Sequence, residues 1–312
     1  MRTILKYILK RILYIIPIFI VVSFMSFALM SIAPGDPAEI MLTSQGTVVT
    51  GELLNSVRHE IGLDQSFIVR YLNWLLGVLH GNFGNSYITG LLVMEQLKTH
   101  LPYTLILAAS SMILTLLISI PLGIISAIYK NRLVDKIIRG LSFIGNSMPG
   151  FFVALLLVLV FSLKLNWFPI LIESGAKSIV LPSITLAIAM TSKYIVQIRA
   201  SVIEEIQKDY VKGARSRGVK EIKIIFPNVI RNIMITVVTL TGLSFGSLLG
   251  GTAVVESIFV WPGIGSLVLT AIKNRDYPII QAYVLWMAVI FIVINLITDI
   301  LYKIIDPRVK EV

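Results

Sequence analysis

Five uncharged apolar runs of 21 to 26 residues, Ile12–Ile32, Thr104–Tyr129, Leu141–Leu163, Asn232–Val255 and Tyr277–Thr298, constrain this chain more than any other feature. A helix of about 20 residues spans the hydrocarbon core of a bilayer. In lipid a helix satisfies its backbone polar groups within one segment, so such runs point to a helical membrane bundle. Only 14% of the residues are charged, against about 25% in soluble domains. A sixth segment, Ile179–Ala200, is interrupted by Lys193 and Arg199. A charge at a span's centre costs about 2.5–3.5 kcal/mol on insertion scales. Lys193 lies 14 residues into the segment, near the far interface, where its stem can snorkel. The segment therefore reads as a span, and the fold class is all-α with six transmembrane helices.

Orientation follows from the distribution of Lys and Arg over alternate loops. With the N-terminus inside, 20 of the 27 basic residues fall on the inner side, which then carries +12 against −2 outside. Both termini are accordingly cytoplasmic. The net charge of +10 is accounted for by topology, which excludes nucleic acid as the expected partner. The basic flank before Ile12 could introduce a signal peptide, but the run exceeds an h-region of about 7–15 residues. It reads as an uncleaved anchor. No cysteine is present, which excludes disulfides, thiolate metal sites and thiol nucleophiles.

The organisation expected is three-part. Residues 1–97 hold the first transmembrane helix (about 12–32) and an extracytoplasmic segment; 98–305 form the core domain; 306–312 are a cytoplasmic tail. The core holds five spans, at about 104–129, 141–163, 179–200, 232–255 and 278–302, and a cytoplasmic loop, 201–231. The extracytoplasmic segment opens on the turn Ala33-Pro-Gly-Asp-Pro37. The spacing predicts two amphipathic helices within it, Glu52–Ile61 and a second on Ile68, Leu72, Leu75, Leu76 and Leu79 that stops at Gly81. They suit either a surface cap or a docking face for an external partner. Breakers crowd the later spans: Pro121, Gly123, Pro149, Gly150 and Pro182. In lipid such breaks persist where neighbours or a water-filled cavity satisfy the freed backbone groups, which favours a bundle around a pathway. Gly242, Gly246 and Gly250 line one helix face and suit close helix packing or, alternatively, a solute path.

The loop 201–231 carries a helical pattern. Ile203, Ile206, Tyr210, Ala214 and Arg217 share one face, and Lys208, Lys212 and Arg215 another. Glu204 precedes Lys208 by four residues, Gly218 suits a C-cap, and Val219–Phe226 suits a second short helix ended by Pro227. The product is a helical hairpin presenting Ala214 and Tyr210, unless the loop merely supplies inner positive charge.

Asp209-Tyr-Val-Lys-Gly-Ala-Arg-Ser-Arg-Gly218 resembles the E-A-A-x-x-x-G loop of type I ABC importer permeases of the dipeptide, oligopeptide and nickel subgroup. Ala214 matches the second alanine and Gly218 the glycine; Lys212 stands where the motif has Glu, Gly213 where it has Ala. The resemblance extends through Ala33–Pro37, Gly62-Leu-Asp-Gln65, Arg70-Tyr71, Gly81-Asn-Phe-Gly-Asn-Ser86 and Ser147-Met-Pro-Gly-Phe151. It continues in Glu256-Ser-Ile-Phe-Val-Trp-Pro-Gly-Ile-Gly265, Arg275-Asp-Tyr-Pro278 and Asp306-Pro-Arg308.

The resemblance implies the type I importer permease fold in a bacterial cytoplasmic membrane. The chain would form half of a pathway for peptides or for nickel and metal-chelate complexes. Its partners would be a second, similar permease (a heterodimer), two cytosolic ATPases, an extracytoplasmic solute-binding protein and membrane lipid. Asp209, Tyr210, Lys212, Gly213, Ala214, Arg215 and Gly218 would form the ATPase-coupling loop. Asn146, Ser244 and Ser247 would line the pathway, and Glu256, Trp261, Pro262 and Gly263 would form an outer gate or, alternatively, a plain loop. Asp299, near the inner end of the last span, suits pairing with an inner basic residue or a proton relay.

Missing motifs matter too. Without G-x-x-x-x-G-K-[ST] the chain binds no ATP by a phosphate loop; ATP and Mg belong to the ATPase partners. His59, His80 and His100 lack metal-ligand spacing, so no metal or other cofactor is expected on this chain. No nucleophile sits with a base, and the chain reads as a transport subunit, not an enzyme. An ion-coupled secondary transporter would carry mid-span ionisable groups or inverted repeats. A non-transporting assembly subunit would not need the helix breaks.

Overall fold

The computed structural model describes residues 2–44, 46–169 and 177–305. The tail 306–312 and the Asp306-Pro-Arg308 motif lie outside them. The described chain is helical, apart from turns and one isolated bridge between Asn85 and Leu92. Among the described residues four helices are long and apolar enough to cross a membrane: α5 (Val93–Ile128), α8 (Val180–Ile206), α11 (Ile230–Ile258) and α13 (Tyr277–Ile305). Two bent pairs raise the number to six. One is α1 (Arg2–Ile32) with α2 (Pro37–Ser44), at 74°; the other is α6 (Leu133–Ser147) with α7 (Gly150–Leu157) and its π-helical continuation Val158–Lys164, at 102°. Only 6% of the α13 window is buried within the protein, which is the exposure of a helix whose apolar surface meets lipid.

The third expected span, 141–163, is thus no straight helix. Met148 precedes a proline and is extended (ψ 129°), because Pro149 Cδ disfavours the α region there; the helix restarts at Gly150 with Pro149 at its cap. Pro227 departs from expectation in the other direction. The helix α10 is only Glu221–Ile224, and a π-helical turn, Ile225–Val229, carries the chain through Pro227 into α11. Widening the turn accommodates a residue that has no N–H to give.

The chain divides into two compact units, within Met1–Thr104 with Pro262–Ile292 and within Leu105–Trp261 with Val293–Val312. In the first, the amphipathic helices of the extracytoplasmic segment form as α3 (Gly51–Glu60) and α4 (Phe67–Leu79), with Gly81 left-handed at φ +79°. Phe24 and Phe27 of α1 pack on Phe67, Tyr71 and Trp74 of α4, and the Ser23 and Tyr71 hydroxyls are 2.9 Å apart. A second core joins Phe83, Val93 and Leu97 to Ile264, Val268 and Ala271 of α12 (Ile264–Asn274) and to Ile279, Ala282 and Leu285 of α13. Thr104 Oγ1 accepts the Ile264 N–H at 2.8 Å, satisfying a donor of the first turn of α12.

In the second unit α8 is the central helix, with Tyr194, Ile198 and Val202 buried. Small residues set its close contacts. A Cβ on Gly123 of α5 would lie 2.8 Å from Ile198 Cγ2, and one on Gly145 of α6 2.4 Å from Ser192 Oγ. On α11, a Cβ on Gly242 would lie 2.4 Å from Thr298 Oγ1 of α13, whereas Gly250 and Gly251 face open space. The glycine face is therefore a packing face at one end only.

Candidate functional site

The segment 205–232 is built around one carboxylate. Glu205, in the last turn of α8, is buried and accepts hydrogen bonds from Tyr210 Oη at 2.8 Å and Asn232 Nδ2 at 2.6 Å. Lys208 Nζ lies 2.6 Å from its other oxygen. The ion pair of Lys208 is thus with Glu205 rather than Glu204. Three donors offset the burial of one anion, and in doing so fasten α9 (Asp209–Ser216) to the ends of α8 and α11. Partial burial, then the adjacent Glu205 charge, raise the Tyr210 phenol to about 12, so it stays a donor at neutral pH.

The rest of α9 is short and locked at both ends. Val211 is fully buried. Gly218 at φ +75° closes the helix by a Schellman motif, with Val219 N to Ala214 O at 3.2 Å and Gly218 N to Arg215 O at 2.9 Å. Arg215 binds Glu221 of α10 through two nitrogens at 2.6 and 3.1 Å. Lys212 pairs with Asp209 at 3.1 Å, within the same exposed helix. Gly213 and Ala214 are half-buried, Tyr210 is 40% exposed, and a Cβ on Gly213 would meet nothing within 4 Å. The continuous face from Ile203 to Arg217 does not form, because Lys208 is extended (ψ 151°) and restarts the helix in a new direction.

The residues expected to line a pathway are placed separately. Ser244 is half-buried on α11, and the buried Tyr194 of α8 donates its hydroxyl to Met112 Sδ at 3.8 Å. Ser247 is exposed and donates to Ser244 O at 2.9 Å. Asn146 lines a groove of about 650 Å³ between α6 and α8, together with Lys136, Arg139, Lys193 and Gln197. The sequence reading missed this groove. Lys193 stands at the midpoint of α8, which continues past the expected span to Ile206.

Of the residues expected at a gate, Glu256 is fully buried in the last turn of α11, and its carbonyl accepts the Trp261 N–H at 2.7 Å. Val260, between them, is left-handed at φ +53°. Pro262 and Gly263 belong to the other unit. There, motifs distant in sequence converge. Ser86 Oγ and Tyr87 N donate to the buried Asp276 carboxylate, Tyr277 Oη donates to Pro34 O at 3.4 Å, and Gly35 leaves room for the Arg275 guanidinium. Gly35, Ser86, Tyr87 and Tyr277 border a cavity of about 740 Å³ that Arg70 and Trp74 also line. Among the described residues, no three His, Cys, Asp or Glu side chains gather to hold a metal.

Comparison with known proteins agrees with this architecture. Residues 119–311 match the family described as "Binding-protein-dependent transport system inner membrane component", and 4–108 match its N-terminal membrane component. The metal-staphylopine import system permease protein CntB of Staphylococcus aureus is 39% identical over 307 residues, covering 98% of each chain. The glutathione transport system permease protein GsiC of Salmonella typhimurium is 38% identical over 98% of this chain and 99% of its own. Among solved structures, the inward-facing MetNI methionine ABC transporter matches with a TM-score of 0.56 at 13% identity, over 68% of this chain and 97% of that one. This last likeness is one of fold. The chain belongs to the family of binding-protein-dependent transport system inner membrane components, as a multi-pass permease subunit of an ABC importer.

Proposed function

We propose that this permease forms half of a solute pathway and takes mechanical work from separate ATPases through α9. The supporting observation is the Glu205 clamp. A short exposed helix held by Tyr210 and Asn232 to the ends of α8 and α11 passes a push on its outer face to two long helices at once. Gly213, over which a Cβ would meet nothing within 4 Å, and the small Ala214 beside it suit insertion into a cleft on an ATPase surface. The basic segment then lies in the cytosol, both termini with it, and α3 and α4 lie on the opposite side, where a solute-binding protein would dock. ATP binding would close the ATPases, carry α9 toward them, and shift the pathway from inward to outward access; hydrolysis would reset it. A second permease of the same family would complete the pathway. The solutes are peptides or metal-chelate complexes, in keeping with relatives named for glutathione and for metal-staphylopine import.

The test is Ala214→Glu in the complete transporter. Membrane insertion should be retained, while co-purification of the ATPase and ATP-driven uptake are lost. Normal uptake with a normally bound ATPase would sink the assignment. Asn232→Ala, which leaves the exposed face of α9 intact, should instead keep the ATPase bound and lower the uptake obtained per ATP hydrolysed.

A further inference from the structure

The helix α6 has three faces. Asp135, Ile138, Ser142 and Gly145 are buried; Leu133, Ile137, Leu141 and Ile144 form an exposed and wholly apolar stripe, as on a lipid-facing helix. Lys136, Arg139 and Asn146 lie on a third face, exposed and polar, and α8 adds Lys193 and Gln197 across the groove. Three cations and no carboxylate line it. The nearest acid, Asp135, is taken by Arg199 at 2.7 and 2.8 Å, with Arg139 at 3.4 Å from the same carboxylate. Among the described residues Lys136 and Lys193 are paired with no carboxylate. Inner positive charge explains basic residues near a helix end. It does not explain why Lys193, inside the span expected at 179–200, and Lys136 face one groove with no carboxylate among its lining residues. An ammonium within a span is kept where it faces a water-filled cavity or reaches the interface.

We infer that this groove is an anion-binding wall of the pathway, and that its ligand carries a carboxylate or phosphate group. The inference rests on the reading of this chain as half of a solute pathway. Lys136, Arg139 and Lys193 supply charge over the length of the groove, and the Asn146 and Gln197 amides add neutral donors. A solute without anionic groups would leave Lys136 and Lys193 uncompensated.

The chain has no cysteine, so Asn146→Cys gives it a single thiol. In nanodiscs holding the complete transporter, with its other subunits free of cysteine, this thiol is labelled with an anionic and a cationic methanethiosulfonate of similar size. The anionic reagent should react faster by about tenfold after correction for intrinsic reactivity. The preference should shrink with K193Q and again with K136Q. Citrate should slow labelling and its triethyl ester should not, which places a soluble anion in the groove. Slowing in phosphatidylglycerol discs relative to phosphatidylcholine discs, without citrate protection, assigns the anionic group to a lipid headgroup. Equal rates for both reagents, unmoved by the two variants and by citrate, overturn the inference. Labelling that keeps its anionic preference but ignores ATP rejects the pathway reading and leaves the anion site standing.

Discussion

The carboxylate of Asp135 in α6 receives two nitrogens of the Arg199 guanidinium of α8, at 2.7 and 2.8 Å, and has no exposed surface of its own. Ser126 of α5 donates to it at 2.6 Å, and the Asn131 N–H at 2.8 Å. One anion therefore joins α5, the turn after it, α6 and α8. Asp135→Asn would leave a partly buried guanidinium without its counterion, a loss of about 3–5 kcal/mol. Removing both charges in Asp135→Leu with Arg199→Met should recover most of it. Thermal unfolding of the purified transporter in detergent compares the two, and a double variant as unstable as the single would show that the residues do not act as a pair.

The glycines of α11 should respond differently to the same substitution. Gly242→Ala places a methyl group 2.4–2.9 Å from three atoms of Thr298. That side chain is β-branched and tied by its hydroxyl to Ile294 O at 2.8 Å, so it cannot turn aside cheaply. A cost of about 1–3 kcal/mol is expected, largely relieved by Thr298→Gly. Gly250→Ala meets open space and should be neutral or stabilising, by up to about 1 kcal/mol, through helix propensity. Equal melting temperatures for the two single variants would contradict the packing described.

Asp276 makes the stability of its unit depend on pH. Burial raises this carboxyl above its ordinary range, against the lowering effect of hydrogen bonds from Ser86 and from the Tyr87 backbone. The folded state then holds its proton more tightly than the unfolded state. Its contribution is complete below the unfolded pKa of about 3.9 and is lost as pH rises through the folded value. Mild acidification should thus steady the turn 86–89, and Asp276→Asn should flatten that response. Hydrogen exchange of these amides at pH 5 and 7, corrected for intrinsic rates, gives the answer. A wild-type turn that loosens on acidification relative to the variant would reverse the sign argued here.

Local pattern was enough for much of the fold. Leu72, Leu75, Leu76 and Leu79 placed α4, and the uncharged runs placed the long helices, because in lipid the length of an apolar segment nearly fixes its structure. Bends were harder. Pro149 turns its helix pair by 102°, while Pro121 leaves α5 continuous and Pro227 is absorbed in a π-helical turn. A proline's effect depends on whether neighbours can reorganise the backbone, which its own position does not reveal. The hairpin was found, but its faces were drawn through Lys208, where the helix restarts. The polar contacts were the least legible. Arg199 and Asp135 are 64 residues apart, and Glu205 and Asn232 are 27 apart; charge spacing along one helix cannot suggest such partners.

The contact between Ser86 and Asp276 also has a meaning for biosynthesis. It joins residues 190 positions apart, and the unit containing it is interrupted by nearly the whole of the other. At about 5–20 residues per second, Asp276 leaves the ribosome roughly 10–40 seconds after Ser86. For that interval the turn 81–89 has been made but its anchor has not. The unit built on α8 is interrupted by one short excursion and has its main helices in hand first. Maturation of this permease is accordingly staggered: α5 to α11 can begin to pack as they are inserted, the divided unit closes only when α12 and the start of α13 arrive, and the rest of α13, from Val293, reaches the α8 unit last.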